Sequence, residues 1–433
     1  MESNSRDGDV SSFVRRISVG GFLAGALLLC PSCATIPGVR KITVPKGQIS
    51  AEGQKVKGLN ESIDEASANG GALHLFLVHG MSNQPFGDPK ELGSGIYSYG
   101  DVVEKFKNDK EWRVRNEAML TERATKAQFE ELVSRTADKL GTTEKISEKL
   151  TWIEDKKGVM GYQVRTEYKG ASAEGRQRRL VVHRNCWAFT VIPFKSELLA
   201  LDNDPARDRY FLNKMLKDSI VTWGLMDAAL YVGSQRNRMQ DAVSRGLAMV
   251  GKEDLKNGRF AFGAASLGSI ITLDTMARDA SKLDSDIKNA FFREEQPLYF
   301  FANQVGLLGA GDKDPLKSVA KANQTAIVAP ELSTSLQNFA KSADPTTKSE
   351  TAKLTVIAFN DPADFLGYPV PAQENDSVEF RIVNVSVRNQ GLGIWGTVVN
   401  PLDAHGGFPK TRGVVKILTE GIKALPAPLA ESQ

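Results

Sequence analysis

Cysteine is scarce: Cys30, Cys33 and Cys186 are the three in 433 residues, so a disulfide-braced scaffold is excluded. Histidine is scarcer than usual too, with His74, His79, His183 and His405 spread along the chain and no pair or Cys cluster at ligand spacing, which leaves no metal site to read. An excess of one charge is also missing. The 55 Lys and Arg nearly balance the 52 Asp and Glu, and a formal +3 is too small to imply nucleic acid. Beyond the N-terminal region no segment approaches the twenty or so consecutive apolar residues of a membrane-crossing helix. The glycines of "LLGAGDKDP" do not open a helix after a strand in the G-x-G-x-x-G manner, so no nucleotide site is expected, and neither metal nor cofactor is called for. What is present is an ordinary globular composition, 41% hydrophobic and 25% charged, in a chain longer than a single core usually grows.

The N-terminus carries information about location. Arg15 and Arg16 precede "VGGFLAGALLLC", an apolar run too short to span a bilayer comfortably and typical of an export signal. Its end, "LLLCPSCATIP", resembles the lipobox of bacterial lipoproteins, in which the cysteine at the cleavage site is lipidated and becomes the mature N-terminus. Cys33, with Ser32 before it and Ala34 after, fits better than Cys30, which follows Leu29. "VRRISVGGF" is also similar to a twin-arginine signal, and a signal cleaved without lipidation is the plainer alternative. The expectation is a signal over 1–32 and a lipid on Cys33, whose chains gain about 0.8 kcal/mol per buried methylene. Ala34 in place of Asp after that cysteine implies, by the same resemblance, a lipoprotein of the cell envelope on the periplasmic face of the outer membrane.

Residues 33–71 are rich in Gly, Ser, Lys and Glu with little periodicity, and read as a tether with one short strand at "KITV". From Leu73 the chain alternates. "LHLFLV", "RLVVHRNCWAFTVI", "RFAFGA", "PLYFFANQVGLL", "KLTVIAF" and "VEFRIVNVSV" read as strands, and "DRYFLNKMLKDSIVTWGLMDAALYVG", "QDAVSRGLAMV" and "LGSIITLDTMARDA" as helices. Such alternation predicts an α/β domain over 72–433, a mostly parallel sheet with helices on both faces. Two stretches read as insertions. Residues of about 101–176 are charged and mainly helical in pattern, including "TKAQFEELVSRTADKLG" and "EKISEKLTWIEDKKG"; residues 311–350 are polar. The first is either a lid over an active site or a surface excursion. The basic cluster Arg176, Arg178 and Arg179 at its end reads as the solvated start of a strand.

The chemistry centres on "RFAFGAASLGSIITLDTM", a buried strand running straight into a helix. A turn of this kind displays Ser266 at the sheet's carboxyl edge, beside the free N–H groups of a helix start, and demands small neighbours, here Ala264 and Gly268. Ser266 as a simple N-cap is the competing reading. His74 and His183 lie inside apolar strands and read as structural. His405, in "NPLDAHGGFPKTRGVVKIL", follows the last strand in a loop where Gly406 and Gly407 leave room for its ring. Just past another strand, "KLTVIAFNDPADFLGYPVP" supplies two carboxylates, Asp361 and Asp364.

In these motifs the chain resembles the α/β-hydrolases. "AASLG" is similar to their nucleophile elbow G-x-S-x-G with Ala264 for the first glycine, and "LFLVHGMSN" to their His-Gly oxyanion loop. The resemblance implies Ser266 as nucleophile and His405 as base. It implies Asp364 as the acid, since Asp364-Phe365-Leu366 fits the family pattern better than Asp361-Pro362-Ala363, with Asp361 the alternative. The amides of Met81 and Leu267 become the oxyanion hole, and His79 and Gly80 the loop that positions it. The chain order, oxyanion loop then Ser, Asp and His, is the family's. The implied activity is an esterase or lipase-like hydrolysis of an acyl ester. An acyltransferase on the same triad and a non-catalytic envelope protein using the fold as a binding scaffold are the alternatives. The departures are Ala264, the absence of leading strands before Leu73, and a long stretch between His79 and Ser266.

Overall fold

A computed structural model describes residues 38–45, 53–81, 84–93, 95–172, 174–202, 225–251, 257–279, 296–309, 352–370, 378–389 and 401–426, with isolated positions between 251 and 296. The expected signal over 1–32, the lipidated Cys33 and the polar insertion 311–350 lie outside these residues.

The strands are β1 (Gly38–Thr43), β2 (Leu73–Val78), β3 (Glu144–Asp155), β4 (Gly158–Ala171), β5 (Gln177–Cys186), β6 (Arg259–Ala265), β7 (Leu298–Phe301), β8 (Ala352–Asn360) and β9 (Val378–Arg388). They form one sheet in the order β1-β9-β8-β7-β6-β2-β5-β4-β3. From β5 through β2, β6, β7 and β8 to β9 every neighbouring pair is parallel, while β1 on one edge and β4 and β3 on the other pair antiparallel. The helices are α1 (Leu59–Ala68), α2 (Tyr99–Asn108), α3 (Lys110–Arg115), α4 (Glu117–Ala127), α5 (Glu130–Lys139), α6 (Ile192–Asp202), α7 (Met226–Val232), α8 (Arg236–Ala248), α9 (Leu267–Arg278), α10 (Val305–Gly309), α11 (Pro401–Gly406) and α12 (Arg412–Glu420).

β2 explains the layering. All six of its residues are buried, as a strand covered on both faces requires. Successive side chains point to opposite faces. Phe76 and Val78 join one core with Met239, Val243, Ile270 and Leu273 of α8 and α9. Leu73, Leu75 and Leu77 join the other with Leu59 and Ile63 of α1, Leu132 of α5 and Leu418 of α12. Each such side chain contributes about 1.5–3 kcal/mol by leaving water. The result is an α/β molecule with a mostly parallel mixed sheet between two helical layers. Among the described residues no helix is long and apolar enough to cross a membrane.

Two expectations need correction. "EKISEKLTWIEDKKG" is not helical: it is β3 and the turn into β4, a hairpin that widens the sheet. Ile146, Leu150 and Ile153 recur at helical spacing, but β4 offers a long partner strand, and Asp155 pairs with Gly158 across a tight turn that needs the glycine's φ of 114°. The hairpin and α2 to α4 close around a third core of Phe86, Phe106, Tyr162 and Phe189, so the insertion is part helix and part sheet. Residues 33–71 are not simply a tether either. β1 pairs with β9, and α1 buries Leu59, Ser62, Ile63 and Ala66, a stripe that its polar neighbours conceal in the sequence. The basic cluster does mark the start of β5, although its members have partners: Arg178 donates to Asp64 from Nε at 2.9 Å, and Arg179 to Glu167 at 2.9 Å.

Candidate active site

The parallel strands all end at one edge. β2 connects to β5 on one side, whereas β6 lies on its other side, so the chain changes direction around β2, and crevices at such points are where open α/β sheets hold ligands. His79 follows β2 there, and Ser266 follows β6.

Ser266 sits at φ 51° and ψ −128°, a conformation that costs a residue with a Cβ roughly 1–3 kcal/mol and that persists only where the surroundings enforce it. β6 stops and α9 starts with no loop between them. The Ser266 amide donates to the Phe301 carbonyl at 2.8 Å, and its carbonyl accepts from the Ser269 hydroxyl at 2.6 Å. Its side chain does not cap α9. Instead Oγ lies 2.9 Å from His405 Nε2. The departure at Ala264 is harmless for a physical reason: Ala264 belongs to β6, opposite Val78 and Phe300, and its φ is not positive. Gly268 is different, since a Cβ there would stand 2.3 Å from the His79 carbonyl oxygen.

His405 lies in the last turn of α11, a short helix rather than the expected loop. Its Nδ1 faces Asp364, 2.9 Å from Oδ2 and 3.0 Å from Oδ1. A carboxylate accepts only, so Nδ1 carries the proton and Nε2 is left to accept from the serine. The Asp364 side chain is fully buried and also accepts the Leu366 amide at 2.9 Å. Gly367 makes space for it, because a Cβ there would lie 2.4 Å from Oδ2. The alternative acid, Asp361, is not at the imidazole. It accepts the amides of Ala363 at 2.9 Å and Asn389 at 2.6 Å, shaping the turn after β8. Ser266, His405 and Asp364 thus meet, from a strand–helix junction, a short helix and the turn after β8, far apart in sequence.

His79 is held rather than reactive. Its Nε2 accepts the Trp187 amide at 3.0 Å, which puts the proton on Nδ1, and this donates to the Gly80 carbonyl at 2.6 Å. The indole of Trp187 stacks on the ring with centroids 4.5 Å apart and donates to the His79 carbonyl. Burial, with the nearby Lys195 charge adding to it, pushes the imidazole down to about 3, so it stays neutral. Gly80 presses on the serine: a Cβ there would stand 2.6 Å from the Ser266 Cβ. Met81 follows directly. Leu267 is the first residue of α9, where an N–H has no intrahelical acceptor. His74 and His183 form a buried pair at 3.1 Å inside the sheet, away from these loops.

Two contributors were not legible in the sequence. Trp187, just past β5, has no motif of its own. Asn389, at the end of β9, donates from Nδ2 to the Ala404 carbonyl at 2.7 Å and accepts the Thr411 hydroxyl at 2.9 Å, fastening α11 beside the acid. Among the described residues no group of three or more His, Cys, Asp or Glu could hold a metal ion. No family model, curated protein or solved structure matches this chain.

Proposed function

We propose that the protein is a serine hydrolase of α/β-hydrolase type that cleaves acyl esters through an acyl-enzyme. The observation that carries this reading is the unbroken line from Asp364 through His405 to a serine that is strained, uncapped and 2.9 Å from the imidazole. Ser266 Oγ attacks the ester carbonyl while His405 Nε2 takes its proton. The negative oxygen is met by the Met81 and Leu267 amides, each such donor lowering the barrier by roughly 3 kcal/mol. As the intermediate collapses, the C–O bond to the alcohol breaks and His405 returns the proton to that oxygen. Water, activated by the same imidazole, then releases the acid and restores Ser266. Asp364 stays ionised and holds His405 in one tautomer. The lipobox-like "LLLCPSC" supports attachment to the cell envelope through a lipid on Cys33.

The test is labelling of the protein by a small fluorophosphonate, alongside Ser266→Ala and His405→Ala. Labelling that both substitutions abolish is expected; labelling that survives Ser266→Ala sinks the assignment.

A further inference from the structure

Beside the triad lies a cavity of about 270 Å³ with His405, Gly80 and Met81 on its wall. The rest of its lining is mostly apolar, with Phe129 and Leu132 from the insertion, Phe301 from the end of β7, and Phe408 and Pro409 from beyond α11; His79 and the Gln128 amide are the polar members, and both are neutral. No Asp, Glu, Lys or Arg among the described residues contributes, so a charged substrate group would lose its hydration there without a counter-charge.

Phe129 is the telling residue. It occupies the left-handed region, φ 56° and ψ 22°, between α4 and α5, and its side chain caps neither helix. Glycine or asparagine fills such a position at no steric cost. A bulky ring there is unfavourable for the backbone, so its reason lies in what the ring covers. Phe129, Ser266 and Ala302 are the non-glycine residues with positive φ among the described residues, and two of the three are in the catalytic line or on the cavity wall.

We infer that this cavity receives the apolar chain of the ester and that Phe129 sets the length it admits. The inference rests on the hydrolase reading and gives it a substrate class: neutral esters with an unbranched chain of medium length. A dry cavity of about 150 Å³ accepts a benzene ring, so one nearly twice that size accommodates a chain of roughly eight carbons. Each methylene that leaves water within that limit raises kcat/KM about fourfold.

The experiment compares kcat/KM for p-nitrophenyl esters from two to sixteen acyl carbons in the wild type, Phe129→Gly and Ala127→Phe. A second series of acetate esters with lengthening alcohols tells whether the chain is the acyl or the alcohol part. Phe129→Gly removes the ring and relieves the positive φ, which offsets part of the packing the ring loses against the core, and a denaturant midpoint checks that the variant is folded. Ala127→Phe narrows the cavity from its partly exposed side. The expected result, in one series or the other, is a wild-type optimum near eight carbons. Phe129→Gly moves it at least two carbons longer and Ala127→Phe moves it shorter. Profiles that coincide in all three proteins, with the wild type labelled by the fluorophosphonate, overturn the cavity's role and spare the triad. A wild type that is not labelled removes both.

Discussion

Gly268 and Ala264 flank Ser266 symmetrically in sequence but face different neighbours. A methyl on Gly268 meets a backbone oxygen at 2.3 Å, which yields only if the His79 loop shifts. Gly268→Ala is therefore expected to abolish fluorophosphonate labelling and to lower the thermal midpoint by several degrees. Ala264→Gly, which would complete the G-x-S-x-G pattern, is expected to cost about 1 kcal/mol of stability by loosening a strand, with no gain in turnover. Thermal melts, fluorophosphonate labelling and ester hydrolysis on the same preparations check both. The two carboxylates separate in the same way. Asp364→Asn presents an amide to His405 Nδ1 and favours the wrong tautomer, so turnover should fall by about 10⁴-fold with the fold intact. Asp361→Asn disturbs the acceptor of two backbone amides and should cost about 1–3 kcal/mol in stability with a far smaller loss of turnover. Equal effects from the two substitutions would reverse the assignment of the acid.

Between elements, buried polar ties decide the geometry. α11 has only six residues and would not hold His405 by its own helical propensity. Asn389 joins it to β9, and the Asn389 amide joins β9 to Asp361. Asn389→Ala is expected to lower kcat by 10- to 100-fold while leaving KM near its wild-type value, as measured by steady-state ester hydrolysis, because the base is misplaced and the apolar cavity is not. A second tie joins α6 to α7, where Lys195 Nζ meets Asp227 Oδ1 at 2.6 Å with both side chains 2% exposed. Burial pulls the Lys195 ammonium down from its usual range, against the opposing pull of Asp227. Lys195→Met strands a buried carboxylate and should cost about 3–5 kcal/mol, whereas Lys195→Met with Asp227→Leu should recover most of it. Denaturant midpoints of the single and double variants read this directly.

The whole molecule carries a pH dependence. Burial holds the His79 imidazole down to about 3, and burial together with neighbouring charge holds that of His183 well below its ordinary 6.5. The folded state keeps both neutral, while the unfolded chain takes up protons as pH falls past that value. Stability from the neutral His79 is thus fully present above about pH 6.5 and is lost as pH falls toward 3, and the depressed His183 adds to the loss below 6.5 in the same direction. The slope is about 1.4 kcal/mol per pH unit for each, hence up to about 2.7 for both. Urea midpoints should be level between pH 7 and 8 and fall steadily below 6. His183→Gln should halve the slope, and a midpoint level down to pH 4 would contradict the buried, neutral histidines.

Much of this was written in local sequence. Runs such as "LHLFLV" and "KLTVIAF" are apolar on both faces and can only be interior strands, and strand–helix alternation entails a parallel sheet. Ser266, with small residues two positions to either side, is likewise a local signal, because the constraint acts within one turn. Local pattern failed where partners were distant. β3 has helical spacing and became a strand because β4 offered it a register; α1 looked like linker because its apolar stripe matters only against the sheet and α12. The choice between Asp361 and Asp364 turned on which carboxylate meets an imidazole some forty residues away, and the conformation of Phe129 on a cavity built from five separate segments. Sequence by itself determined which segments are interior and where a serine is displayed, since periodicity and turn chemistry act over a few residues. Only the tertiary structure decided which carboxylate meets the imidazole, which tautomer that contact holds and which walls surround the serine, because those depend on through-space contacts that no local pattern encodes.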